Sequence, residues 1–181
     1  MTQGRLIAVV GPSGVGKDSV MAGLHAALPR LHLVRRVITR PPSPGGEVHD
    51  AVTAAQFRAL VAEGAFALHW EAHGLSYGIP ITLRYQLGKG TDCLANLSRH
   101  ALERAAEVFP RLTVLHITAR PETLARRLVL RARETETDIA ARLAQADKPL
   151  PAGLDVHHLA NDGPLSDTVA RAVALLQPAR V

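Results

Sequence analysis

The stretch VVGPSGVGKDSV at residues 9–20 lies between an apolar run, RLIAVV at 5–10, and a segment with helical spacing. Its glycines permit backbone conformations that are closed to other residues, so successive amide groups can turn toward one anion. The amino terminus of the following helix adds a positive potential, and Lys17 can bridge the β- and γ-phosphates of a nucleotide. The stretch therefore predicts a phosphate-binding loop over residues 11–18, with Lys17 as a catalytic group. The predicted nucleotide-binding residues of this stretch are Gly11, Pro12, Ser13, Gly14, Val15, Gly16, Lys17, Asp18 and Ser19.

Asp18 occupies the position where such a loop usually carries Ser or Thr, whose hydroxyl is a neutral ligand of Mg²⁺. An aspartate also offers oxygen to a hard cation, but its charge repels phosphates unless the metal lies between them. Three other roles stay open: Asp18 acts through a water, leaves the metal to Ser19 or the nucleotide, or only favours the first turn of the helix. We predict that Asp18 is a ligand of Mg²⁺.

The rest of the chain alternates between strand-like and helix-like segments, which is typical of an α/β fold with a parallel sheet covered on both faces. The length of 181 residues favours a single domain over residues 1–181. The stretch 65–80 is predicted as two extended pieces joined by a turn at Gly74. Strands are predicted at 5–10, 33–39, 91–97, 112–118 and 156–161, and helices at 18–29, 53–64, 120–128 and 164–177.

Composition bounds the location of the protein. Hydrophobic residues make up 47% of the chain, yet no apolar run approaches the ~18 residues that span a bilayer. The start of the chain lacks the charged region and cleavage site of a signal peptide. The single Cys93 rules out an intramolecular disulfide and fits a reducing compartment. These features predict a cytoplasmic protein with no membrane partner.

The net charge of +5 comes from 18 arginines and only three lysines. Arginine binds phosphate oxygens in pairs, which suits either a nucleic acid or a ligand with several phosphates. No lysine-rich run is present, and aromatic residues that would stack on bases make up only 3% of the chain. The charge therefore favours a small phosphorylated ligand, and no nucleic-acid partner is expected.

The chain resembles the guanylate kinase family over nearly its whole length. The resemblance implies a nucleoside-monophosphate-kinase-like P-loop NTPase fold, in which a helical lid at about 127–145 covers the parallel sheet. It implies ATP and Mg²⁺ as cofactors, Arg131 and Arg142 as catalytic lid residues, and Arg127 and Asn161 as ATP-binding residues. The matching segments are the phosphate loop, VITRPPSPGGE at 37–47, GAFALHW at 64–70, YGI at 77–79, LARRLVLRARETETDIAARL at 124–143 and HLANDG at 158–163.

Departures from that family point away from guanine as the acceptor base. Leu68 stands where the family reads guanine with a glutamate, and a leucine accepts no hydrogen bond. Ser43 replaces one of two phosphate-binding arginines, and Asn96 and Ser98 replace paired aspartates. The donor half thus matches the family while the acceptor pocket differs.

A narrower resemblance, to the ribose 1,5-bisphosphate phosphokinases, accounts for these departures together. It is carried by GPSGVGKDS at 11–19, RRVITRP at 35–41, GGE at 45–47 followed by His49, and HGLSYGI at 73–79. It implies ATP-dependent phosphorylation of ribose 1,5-bisphosphate to phosphoribosyl diphosphate in phosphonate catabolism, with Asp18 as a trait of the subfamily.

The acceptor-binding region is predicted at about 35–88, where a strand ends and opens into a Gly- and Pro-rich loop. Three alternatives remain: a nucleoside monophosphate kinase with altered base choice, a guanylate-kinase-like binding module without activity, and a nucleic-acid binder. A homodimer is compatible with the sequence. The predicted substrate-binding residues are Arg36, Arg40, His49, His73, Tyr77 and Arg99.

Overall fold

A computed structural model of the protein describes residues 3–42, 47–130 and 148–177, together with the single positions 137, 140 and 144. Alternating strands and helices build a five-stranded parallel sheet with strand order β2-β7-β1-β8-β9, which confirms the predicted fold class. Strand β1 is buried along its whole length because it lies in the middle of that order, covered on both faces. The strands are β1 (Leu6–Val10), β2 (His32–Leu33), β7 (Cys93–Asn96), β8 (Leu112–Thr118) and β9 (Asp155–Ala160).

Helices cover the sheet and leave its carboxyl edge open. The side chains of β1 alternate between two apolar clusters, so that Ile7 and Val9 pack with the first and last helices and Ala8 and Val10 pack on the other face. None of the helices in the described ranges is long and apolar enough to cross a membrane. The helices are α1 (Lys17–Ala27), α2 (Ala54–Ala62), α3 (Leu83–Gly88), α4 (Leu102–Val108), α5 (Pro121–Leu130) and α6 (Leu165–Leu176).

A second sheet with strand order β4-β3-β6-β5 lies beside the first and carries the predicted acceptor region. Strands β5 and β6 form an antiparallel hairpin whose two-residue turn is His73–Gly74. Both turn residues have positive φ, 52° and 73°, as the tightest hairpin turns require. The strands of this sheet are β3 (Val37–Ile38), β4 (Asp50–Ala51), β5 (Phe66–Ala72) and β6 (Leu75–Pro80).

The predicted single strand at 33–39 is wrong. Its start belongs to β2, which pairs with β7 in the parallel sheet, and its end is β3, which pairs with β6 in the second sheet. The residues at 34–36 carry the chain from one sheet to the other. A continuous run of strand-forming residues fits either arrangement, because the pattern records burial and not which neighbour each residue pairs with.

Candidate functional site

The phosphate loop follows β1 and ends at Gly16, the amino-terminal cap of α1, in a left-handed conformation with φ 96°. A side chain on Gly11 would place Cβ 2.3 Å from the carbonyl oxygen of Ile117, and one on Gly16 would place it 2.8 Å from Nδ2 of Asn161. Both positions therefore require glycine, one for close approach to β8 and the other for conformation and contact alike.

Lys17 is held beneath this loop by two carbonyl groups. Its ammonium Nζ donates to the carbonyl oxygen of Gly11 at 2.8 Å and to that of Pro12 at 3.1 Å. Burial lowers the pKa of Lys17 to about 8; the charges of Arg36 and Arg99 also lower it, while Asp18 and Glu47 oppose the shift. The ammonium group of Lys17 is desolvated, and its hydrogen bonds go to neutral carbonyl groups. A nearby anion such as a phosphate group therefore stabilises its charged form.

Two carboxylates and an amide converge in front of Lys17. The amide Nδ2 of Asn96, at the end of β7, lies 3.4 Å from a carboxylate oxygen of Asp18 and 3.4 Å from one of Glu47. Carboxylate and amide oxygens are the ligands that Mg²⁺ prefers. Asp18 is exposed on the first turn of α1, so its carboxylate is accessible to a hydrated cation and fits Mg²⁺ as an oxygen ligand.

Arg36 lies at the centre of the predicted acceptor region and is only 6% exposed. Its Nε donates to Glu47 Oε1 at 2.7 Å, and its Nη2 donates to the other oxygen of the same carboxylate. The guanidinium lies 5.0 Å above the ring of Tyr77, which stacks on Trp70 at 5.4 Å and 7°. Trp70 in turn donates to the hydroxyl of Ser98 at 2.8 Å. Arg36 and Tyr77 are therefore brought together and fixed in place before any ligand binds.

Trp70 and Leu68, on β5, belong to the core. Leu68 is 4% exposed, so the position that would read guanine holds a buried apolar side chain. No polar group replaces the glutamate there, and a guanine ring would find no hydrogen-bond acceptor at this position.

His49 and Arg40, two of the predicted substrate-binding residues, differ in whether their side-chain nitrogens already have hydrogen-bond partners. Both ring nitrogens of His49 lie 2.9 Å from main-chain carbonyl oxygens, Nδ1 from that of Glu47 and Nε2 from that of Arg40. His49 thus fastens the two sides of the loop that precedes β4. By contrast, the Nε atom of Arg40 is buried and has no hydrogen-bond partner among the residues that the structure describes, so it is an available donor for an anion.

The structure places the remaining predicted residues at varied distances from this centre. His73 lies at the exposed tip of the β5–β6 hairpin. Arg99 donates to the carbonyl oxygen of Lys148 at 3.0 Å, and its charge helps to lower the pKa of Lys17. Arg131 and Arg142, with Ser43 and most of the predicted lid, lie outside the described residues.

Arg127 and Asn161 contact the phosphate loop itself. Both side chains donate to the carbonyl oxygen of Val15, Arg127 at 3.2 Å and Asn161 at 2.8 Å. Glu47 was not among the predicted site residues, although it ends the GGE motif that carries the resemblance. The GGE motif could be recognised in the sequence. Its contact with Arg36 could not, because the sequence does not show how the folded chain brings Glu47 and Arg36 together.

No family model matches the chain. The ribose 1,5-bisphosphate phosphokinase PhnN of Ruegeria sp. (strain TM1040) is 51% identical over 179 residues, covering 98% of this chain and 94% of that protein. The protein of the same name from Rhizobium etli (strain CIAT 652) is 45% identical over 96% of this chain and 90% of its own length. Among solved structures, the guanylate kinase from Anaplasma phagocytophilum has a TM-score of 0.74 at 21% identity, covering 97% of this chain and 85% of that one. At that identity, the structural likeness supports the fold alone.

Proposed function

The chain belongs to the family of ribose 1,5-bisphosphate phosphokinases, and we propose that it transfers the γ-phosphate of ATP to ribose 1,5-bisphosphate. The products are ADP and 5-phospho-α-D-ribose 1-diphosphate. The observation that carries the proposal is the acceptor side, where Arg36 is fixed by Glu47 near Lys17 while Leu68 fills the guanine position. On this side Lys17 and Arg36 offer positive charge to phosphates, whereas Leu68 offers no hydrogen-bond acceptor to a guanine base.

In the proposed step, an oxygen of the acceptor's 1-phosphate attacks the γ-phosphorus of ATP. A new P–O bond forms there as the bond from the γ-phosphorus to the β–γ bridging oxygen breaks, and the electron pair leaves with ADP. A phosphate dianion is already a nucleophile, so the step needs no general base. Position and charge neutralisation carry the catalysis.

The cations of the site have to offset roughly eight negative charges on the two substrates near neutral pH. Lys17 serves the transferring phosphate, and the fixed guanidinium of Arg36 with the unpartnered Nε of Arg40 serves the acceptor. The hydroxyl of Tyr77 completes the proposed acceptor set. We extend the proposal to His73 and Arg99 as acceptor residues and to Arg131 and Arg142 as lid residues that exclude water.

Mg²⁺ is proposed as the metal, held by Asp18. When bound, the ion neutralises phosphate charge and orients the triphosphate. The negative charge of Asp18 repels the nearby phosphates unless a cation lies between them. Binding Mg²⁺ is therefore the proposed role of the aspartate at this loop position. We further propose that the chain works as one domain in the cytoplasm.

The test of this function is ADP release from MgATP with ribose 1,5-bisphosphate, beside GMP, UMP and CMP in parallel. We expect turnover with the bisphosphate and about 10²-fold lower kcat/KM with GMP, because burying the guanine N–H groups beside Leu68 without an acceptor costs about 1–3 kcal/mol for each group. Mass detection of phosphoribosyl diphosphate identifies the product. Preference for a nucleotide would contradict the acceptor assignment, and failure with every acceptor would favour a binding module.

The pH dependence of the reaction tests the state of Lys17. Because burial lowers the pKa of Lys17 to about 8, the free protein loses the ammonium charge as pH rises through that value. We expect kcat/KM for ATP to fall about tenfold per pH unit above pH 8, since this parameter reports the free enzyme. Bound phosphates stabilise the charged form, so kcat at saturating ATP should hold to higher pH. A kcat/KM that stays flat to pH 10 would contradict this account.

A further inference from the structure

The carbonyl oxygen of Val15, in the phosphate loop, receives two side-chain donors, one buried and one half-buried. Asn161 lies just beyond β9 and is 4% exposed, and its Nδ2 donates to this oxygen at 2.8 Å. Arg127, from α5, donates to the same oxygen at 3.2 Å. An acceptor that takes two hydrogen bonds inside the protein is held in one direction.

The amide of Asn161 is itself oriented by the protein. Its Oδ1 accepts a hydrogen bond at 2.9 Å from the hydroxyl of Thr168, which lies on α6 and is 0% exposed. Its main-chain N–H donates to Thr118 at 2.8 Å, and its carbonyl accepts from Arg127 Nη2 at 2.8 Å. Because the Val15 carbonyl oxygen can only accept, Nδ2 must be the atom that faces it, and Oδ1 is then left to accept from the Thr168 hydroxyl. The side-chain amide is thus used on both sides within the fold.

Fixing the Val15 carbonyl also fixes the next amide. In a planar trans peptide the C=O of one residue and the N–H of the following residue point in opposite directions. The Gly16 N–H therefore points away from Asn161 and Arg127, toward the other side of the loop. Successive amides of such a loop are the donors that cradle a triphosphate.

We propose that Asn161, oriented by Thr168, is a positioning residue that sets the Gly16 amide for the triphosphate through the Val15 carbonyl. The resemblance implied that Asn161 binds ATP. In this structure, both ends of its side-chain amide form hydrogen bonds within the protein, to Val15 and to Thr168. The inference rests on the proposed function only in taking a nucleoside triphosphate as the donor. Thr168 is fully buried and so touches no ligand; its shortest hydrogen bond is the one to Asn161, and its hydroxyl also lies 3.4 Å from the carbonyl oxygen of Ala160 and from Nη2 of Arg171.

Two ligands separate a contact with the base from an effect on the loop: MgATP and magnesium tripolyphosphate, which has no base. Asn161→Asp places a carboxylate oxygen against the Val15 carbonyl, so two acceptors face each other. We expect the affinities for both ligands, measured by calorimetry without acceptor, to fall by the same factor, about 10- to 100-fold.

Thr168→Val is a near-isosteric change that removes only the hydroxyl, which keeps the test informative if Asn161→Asp folds poorly. We expect it to weaken both ligands equally, by about fivefold, and Thr168→Ser to restore affinity by returning the hydroxyl. Arg36→Ala, on the acceptor side, is the comparison variant. We expect it to change the KM for the acceptor more than the affinity for tripolyphosphate.

Three outcomes would overturn the proposal. One is Asn161→Asp weakening MgATP while tripolyphosphate binds as before, which would place Asn161 on the base. Another is unchanged binding of both ligands in Thr168→Val, and a third is wild-type protein that binds MgATP but not tripolyphosphate. Because no acceptor is present, failure of the ribose 1,5-bisphosphate assay leaves these results standing.

Discussion

Replacing Lys17 with alanine is expected to lower kcat by about 10³-fold while leaving the fold intact. Lys17 is positioned by the carbonyl groups of Gly11 and Pro12 within the loop that receives the triphosphate. Its charge is expected to be stabilised more by the transition state than by the empty site, because in the empty site its hydrogen bonds go to neutral carbonyl groups. Loss of such a charge removes transition-state stabilisation and not only ground-state affinity.

The same substitution should not lower the melting temperature. Burial lowers the pKa of Lys17 to about 8, which means that the folded protein holds the ammonium at a cost. Removing the charge relieves that cost and offsets the loss of two hydrogen bonds. We therefore expect equal or slightly higher thermal stability together with near-complete loss of turnover, which is the signature of a functional group held under strain.

Lys89→Ala is the matched control for charge, since Lys89 is exposed and its ammonium lies 4.2 Å over the ring of Tyr85. It should keep wild-type kcat and KM. Wild-type turnover in Lys17→Ala would contradict the role of Lys17 in phosphoryl transfer.

The fold was predictable from local patterns because its parallel sheet is built from short buried strands that alternate with helices. The run at 5–10 and the loop after it identify β1 and α1 without any knowledge of distant residues. The failure at 33–39 has a physical cause, since the pattern of strand-forming residues continues across the point where the chain changes sheets. The second sheet was therefore seen as extended pieces without its pairing.

The site was predictable where chemistry is local and not where it depends on contacts between distant segments. Lys17 and Asp18 follow from the loop motif, and the structure places Arg36 beside Tyr77, two of the residues predicted to bind the acceptor. Thr168 carries no local signal, because a threonine on an amphipathic helix is ordinary until β9 brings Asn161 beside it. His49 is the reverse case. Its motif was recognised in the sequence, but both of its ring nitrogens lie at hydrogen-bond distance from main-chain carbonyl oxygens.

Arg36→Ala is expected to destabilise the protein by about 3 kcal/mol and to abolish use of the acceptor. The substitution leaves the carboxylate of Glu47, 16% exposed, without its cationic partner, near Asp18 and the incoming phosphates. Urea unfolding measures the first effect and kcat/KM for the acceptor the second, with a loss of at least 10²-fold expected since bidentate phosphate contacts are lost.

The double change Arg36→Ala with Glu47→Ala separates stability from function. Removing both partners eliminates the unpaired buried charge, so most of the lost unfolding free energy should return, whereas acceptor use should stay lost because the cation is absent. Arg104→Ala, in an exposed pair with Glu107, is the control and should cost less than about 0.5 kcal/mol. If the double variant recovered turnover along with stability, Arg36 would be a structural partner of Glu47 and not a ligand of the acceptor.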